Sequence, residues 1–202
     1  GTSFYHRRPV AEVIAERLPA TIELSLVALI VALVTSIPLG VLAAIRKNTI
    51  FDRIATLFSL VGVSMPGFWL GILLIMIFAV NLQLFPVAGR IGFSHEVDPI
   101  TGFMLIDTLL HRNFAAFGET LRYIALPAVT LGLPMAAILM RVTRTSMLEV
   151  LQQDYVTFAN AKGLKPRRIF FRHALKNALI PTVSVAAIET GSLLGGNMIV
   201  ET

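Results

Sequence analysis

The side chains able to do chemistry are few in this 202-residue chain, and their spacing argues against bond-making. The four histidines, His6, His95, His111 and His173, are scattered without ligand spacing. The absence of cysteine excludes a disulfide framework or a thiolate metal site. No glycine-rich phosphate loop of the Walker type occurs either. No catalytic or metal-binding residue is therefore assigned. Two features remain. One is Glu189, the single carboxylate inside an otherwise uncharged run; an ionisable group at membrane depth faces a cavity or a bundle interior, so Glu189 is a candidate for contact with an amine or a gating partner, against the plainer reading of a helix-end or bundle-paired glutamate. The other is residues 154–181, DYVTFANAKGLKPRRIFFRHALKNALIP, a compact basic segment wedged between two apolar runs. Its composition suits a docking surface more than a connector.

The elements that must position these residues are legible from charge and hydropathy. Of the chain, 55% is hydrophobic and only 14% charged, where a soluble domain carries about 25%; the mean hydropathy is +0.77. Uncharged runs cover residues 24–45, 54–89 and 123–140, and 177–200 is interrupted by Glu189 alone. About 20 apolar residues cross a bilayer core, so the pattern predicts an all-α polytopic bundle with four spans. Four such runs exceed what the core of a soluble protein needs. The net charge of +5 then points to anionic lipid or a cytosolic partner and not to nucleic acid.

Residues 1–18 read as a polar approach segment outside the membrane, with Glu12, Glu16 and Arg17 on a short amphipathic stretch, and 19–202 as the transmembrane domain. The first span is expected from Pro19 to Ile45, with Glu23 snorkelling at its outer end. The second lies in 54–82 and contains Pro66-Gly67, read as a fixed kink that neighbouring helices or an aqueous cavity make tolerable. Residues 83–122 form a polar loop in which 103–110 is a short interfacial helix. The third span covers 123–140, and the fourth starts near Ala178, with Gly191, Gly195 and Gly196 as a small face for close helix packing. Ser64, Pro66, Glu189 and Asn197 are the candidates for pathway or gating positions. The chain lacks an initiator Met and stops within an apolar segment, which reads as an internal piece of a longer protein. Of the 17 lysines and arginines, eleven fall in 46–53 and 141–176. The positive-inside rule places both loops in the cytoplasm and 83–122 outside.

Within 141–176 two short helices are expected. The first covers 147–162, with Leu151, Tyr155 and Phe158 on an apolar face and Asp154 supporting its start or pairing with a partner's cation. Gly163 is suited to cap it in the left-handed conformation, and Pro166 to open the second helix. There Arg168, Arg172 and Lys176 recur every four residues as a basic stripe. A surface helix on anionic headgroups would explain that stripe. A protein dock would explain in addition the small pair Ala159 and Gly163, which leaves a notch for a partner's backbone.

This segment resembles the cytoplasmic loop of the permease subunits of binding-protein-dependent ABC importers. The loop's general pattern is Glu-Ala-Ala, three residues, then Gly; Ala159 matches the second Ala and Gly163 the Gly. Thr157 and Phe158 replace Glu and the first Ala, and Lys176 replaces a proline whose nearest equivalent is Pro181. Those departures match the dipeptide/oligopeptide/nickel branch, as do LPATIELSL (18–26), SMPGFWLGILL (64–74), LPAVTLGLPMAAILMRVTRTSMLEVL (126–151) and GSLLGGNMIVET (191–202). The resemblance implies a type I importer fold of six spans, four of them present here. It also implies a coupling helix that enters a groove of a separate ATP-binding subunit, with Asp154, Tyr155, Thr157, Phe158, Ala159, Lys162, Gly163, Leu164 and Lys165 as docking residues. ATP and Mg would be bound by that subunit, and none by this chain. Further implied partners are a second homologous permease subunit and an external substrate-binding protein, in the inner membrane. Di- or oligopeptides are the implied substrates, with nickel or glutathione-like compounds as the alternative inside the branch. Outside it stand an ion-coupled secondary transporter, for which a single intramembrane acid and no visible repeat are poor support, and a lipid-binding scaffold, which does not need the notch.

Overall fold

The computed structural model describes residues 9–92 and 97–196. Its regular elements are helices: α1 (Val10–Ile45), α2 (Ile50–Ser64), α3 (Gly67–Leu74), which runs on as a π-helical Ile75–Asn81, α4 (Met104–Leu110), α5 (Phe114–Leu151), α6 (Asp154–Ala161), and α7 (Pro166–Arg168), which passes through a π-helical Ile169–Ala174 into α8 (Leu175–Gly196). Three helical stretches are long and apolar enough to cross a membrane, and α2 with α3 makes a fourth if the bent pair is one span.

The helices overrun the expected limits because proline inside a packed helix removes a hydrogen bond without ending it. Pro19 and Pro38 lie within α1, and Pro127 and Pro134 within α5. Residues 10–18 thus belong to the same helix as the first span. With 38 residues, α5 is about 57 Å long at 1.5 Å per residue, well beyond the ~30 Å hydrocarbon core. Asn113 starts it by accepting the Ala116 N–H at 3.1 Å, an N-cap that satisfies one orphan donor. The fourth span likewise begins at Pro166 and not near Ala178, since α7, the π-helical turn and α8 form one path. Only between Ser64 and Gly67 does proline break the chain. Met65 is pushed to extended backbone by the proline that follows. Pro66 is extended too, and α2 and α3 meet at 105°. The expected kink is a full corner.

The bundle is organised around α1 against α5. Small side chains four residues apart face each other: Ala28, Ala32, Ser36, Gly40 and Ala44 on α1, and Ala128, Gly132 and Ala136 on α5, all buried. A Cβ on Gly132 would lie 2.8 Å from the Ala28 carbonyl oxygen, and one on Gly40 2.8 Å from that of Met140. The backbones therefore approach as closely as only small residues permit, which replaces the hydrophobic drive missing between helices in lipid. Leu139 and Met135 fill the space towards α8. Gly191 and Gly195, by contrast, have nothing among the described residues within 4 Å of where a side chain would start.

Candidate functional site

The basic segment is built as a platform with its outer face open. α5 stops at Leu151, and the chain turns through Gln152 and the extended Gln153 before α6. The continuous 147–162 helix expected from the sequence is thus split, with no proline or glycine to announce it. Packing explains the turn, because Val156 and Ala159 of α6 close with Ile169 into a buried cluster that Leu151 and Leu164 complete. Ala159 is 7% exposed. It faces the chain's own Ile169, so the notch expected between Ala159 and Gly163 is not an open one. The outward face of α6 is instead Asp154, Tyr155, Thr157, Phe158 and Lys162. Phe158 is 62% exposed, and the Lys162 Nζ lies 4.5 Å from its ring centroid, a cation–π contact.

Gly163 ends α6 as the sequence predicts. Its φ is +72°, its N–H donates to the Asn160 carbonyl at 2.9 Å, and the Leu164 N–H donates to the Ala159 carbonyl at 3.3 Å. This pairing with the Leu164–Ala159 contact is the Schellman arrangement. Tyr155 is tied sideways, its hydroxyl accepting from Asn177 Nδ2 at 2.9 Å. α6 is therefore fixed both to the end of α5 and to the start of the last span. Beyond the cap, Lys165, Arg167, Arg168 and Phe171 line an open cleft of about 450 Å³. Arg168, Arg172 and Lys176 are all exposed, although the π-helical turn offsets the stripe that a regular helix would make. His173 is half-buried on the same turn.

Two ionic hubs that sequence reasoning missed hold the ends of the bundle. At the end nearest α6, Arg144 of α5 donates to both carboxylate oxygens of Asp52, Nε to Oδ1 at 2.5 Å and Nη2 to Oδ2 at 2.8 Å. Asp52 Oδ2 also accepts the N–H of Asn48 at 2.9 Å, a residue with φ +65°, so the same carboxylate shapes the turn between α1 and α2. The pair puts residues 46–53 and the start of 141–176 at one end of the bundle. Its only sequence signal was an acid alone among the cations of 46–53. At the other end Glu23 is 6% exposed, accepting from Arg90 Nη2 at 2.8 Å and from the Leu105 N–H at 2.6 Å. It does not snorkel; it pins the 83–122 loop to α1. In that loop Asp107 accepts from the Thr101 hydroxyl at 2.6 Å and from the backbone N–H groups of Ile100, Thr101 and Gly102. Burial pushes its carboxyl up, but these hydrogen bonds outweigh burial and hold it below the usual carboxylate range.

The candidate pathway residues are not brought together. Ser64 and Pro66 lie at the α2–α3 corner, exposed, beside an open apolar hollow of about 550 Å³ that Trp69 and Phe68 also line. Glu189 is half-buried on α8, whose main packing partners are α1, α5 and the π-helical turn before it. Asn197 lies outside the described residues. Among the described residues no three His, Asp or Glu side chains come together as a metal site would require.

A bundle of long apolar helices, ionically tied at both ends and carrying a short, outward-facing helix at one end, defines a multi-pass membrane protein. Residues 36–202 match the family described as the binding-protein-dependent transport system inner membrane component, and the chain belongs to that family. It is 45% identical over its whole length to the di/tripeptide transport system permease protein DppB of Pseudomonas aeruginosa (strain UCBPP-PA14). It is 44% identical to the dipeptide transport system permease protein DppB of Escherichia coli (strain K12) and 40% to the oligopeptide transport system permease protein AppB of Bacillus subtilis (strain 168). The chain spans 60%, 60% and 58% of the length of these relatives.

Proposed function

We infer that this chain is part of the transmembrane subunit of an ATP-driven importer of di- or oligopeptides. It lines the translocation pathway and makes no bond chemistry. ATP and Mg bind to a separate subunit, onto which α6 docks through Tyr155, Phe158 and Lys162, with Asp154, Thr157, Gly163, Leu164 and Lys165 at the rim and Ala159 supporting from behind. A second homologous permease completes the pathway, and an external binding protein delivers the substrate at the face that carries 83–122. The cytoplasm then holds 46–53 and 141–176, as their cation excess requires. Peptide substrates are favoured over nickel or glutathione-like ones because the relatives above are named for peptide transport.

The observation that carries this reading is the outward face of α6. An exposed aromatic, a cation and a capped end stand on a helix clamped to two spans, which is what a lever needs and a lipid-surface helix does not. The chain has no native cysteine, so a single thiol at Phe158 in the full-length permease, paired with thiols along the groove of the co-expressed ATP-binding subunit, gives a clean test. Cross-linking that changes with ATP is expected. Its absence at every groove position, with both proteins present, would return α6 to a lipid-surface helix.

A further inference from the structure

We propose that the Asp52–Arg144 ion pair is the strut that carries movement of the docking helix to the broken span, so that both residues position the pathway during transport. The inference rests on the docking reading of α6.

The argument starts from two consecutive residues of α5 that face different neighbours. Thr143 Oγ1 meets Thr182 Oγ1 of α8 at 3.0 Å, with both residues fully buried. Arg144 reaches the other way and grips Asp52 of α2 at two points. α6 is tied to α8 through Asn177–Tyr155, and its buried face packs on Ile169 of the π-helical turn that runs into α8 and on Leu151 at the end of α5. A displacement of α6 therefore reaches α5 directly at Leu151 and through α8 at position 143, and leaves it for α2 at position 144.

The character of the contact matters as much as its place. Two other close contacts of α2 with α5, Ala55 with Met140 and Gly62 with Ala137, are between apolar or small residues, and apolar faces slide. A two-point guanidinium–carboxylate bond fixes both distance and angle. Asp52 is 4% exposed, and a buried ion pair is weak evidence of net stability, since packed apolar residues often do as well. Its geometry is what an apolar pair cannot supply. The pair also sits at the far end of α2 from the Met65–Pro66 corner. α2 has 15 residues, a lever of about 22 Å. A small rotation at Asp52 becomes a larger displacement where Ser64, Pro66 and Trp69 line the apolar hollow. The cations near the carboxylate in sequence are Arg46, Lys47 and Arg53; among the described residues, Arg144 is the one that grips it from another element.

The test uses the complete importer in proteoliposomes and reads substrate taken up per ATP hydrolysed, together with the amount of assembled complex. Asp52→Asn and Arg144→Gln are expected to hydrolyse ATP but to lose about tenfold in uptake per ATP, the scale of a typical coupling energy. A pair that only held the fold would lower the yield of complex and leave the ratio of the assembled fraction unchanged, and that result would overturn the proposal. If the single variants fail to assemble, Asp52→Glu and Arg144→Lys keep both charges while altering the two-point geometry; an unchanged ratio in both again overturns it. The Phe158 cross-link in the parent separates the two readings. Its absence removes the docking reading, while its presence with normal uptake per ATP in the pair variants removes the strut alone.

Discussion

Single side chains do most of the fixing at the two ends of this bundle, and each does it with more than one bond. Asp107 gathers three backbone N–H groups and a hydroxyl over residues 100–102, and Glu23 gathers Arg90 and the Leu105 N–H. A carboxylate that organises a loop this way ties loop order to its charge. Because the folded-state pKa of Asp107 lies below the ordinary value of 3.8, its contribution is fully present above that value and is lost as pH falls through the lower folded value. A spin label on a cysteine at Ile100, whose side chain is 61% exposed, should be immobile at pH 6 and become mobile only well below pH 4. With Asp107→Ala it should be mobile at both pH values; an equally rigid label in that variant would show that the loop is held by something else. Gly163 works at the same scale. Its positive φ is available to glycine at little cost, and the Schellman bonds it permits decide where α6 ends and the basic cleft begins.

Between elements, α1 and α5 are held by the smallness of what faces between them. Gly132 against the Ala28 carbonyl and Gly40 against that of Met140 leave no room for a methyl group. Gly132→Val should force the helices apart and cost about 1–3 kcal/mol, as overpacking does. It should lower the thermal midpoint of the purified permease in detergent, while Gly191→Val, at a site open in this chain, changes it little. Equal loss from both would mean that the α1–α5 contact is not the tighter one. The α2–α3 corner is set by different physics. The extended backbone at Met65 follows from a steric rule about the residue before proline, and Pro66 is extended as well, yet four other prolines in α1 and α5 bend nothing comparably. What distinguishes the corner is Gly67 directly after Pro66 and the weak packing around it, where Ser64, Pro66, Phe68 and Trp69 are all exposed.

At the scale of the whole molecule, the apolar surface is distributed unevenly. Of the three unbroken spanning stretches, α5 is the most buried and the last the least. Ile54, Leu57, Phe68 and Ile72 on the broken span, and Ile180, Val183 and Ile188 on α8, are each 60% exposed or more. A bundle with one packed side and two open ones fits a protein completed by further helices, since small residues on an open face such as Gly191 and Gly195 are suited to close helix contact. The 202-residue chain alone in mild detergent should therefore run as a mixture of sizes by light scattering, and co-expression with the proposed second permease subunit should yield a single species. A monodisperse chain by itself would show that lipid or detergent is all these faces need.

Much of this protein is local in origin and was determined by sequence alone. Run length and hydropathy mark three apolar passes, or four if the bent pair is one span, the cation excess groups 46–53 with 141–176, and Gly163 and Pro166 mark where one helix ends and the next begins. Even the short helix in the 83–122 loop is legible from its apolar pattern. Each of these is read from the composition of contiguous stretches, without knowing what packs against them. Only the tertiary structure decided what Glu23, Asp52 and Ala159 do. Glu23 meets Arg90 across 67 positions and Asp52 meets Arg144 across 92, and no spacing rule links residues so far apart. The inward turn of Ala159 follows from Ile169, which the break after Leu151 brings beneath it. A buried charge is stable only beside its partner, and a small residue is a notch only if nothing fills it. Both conditions are met by distant segments of the chain, so both had to wait for the fold.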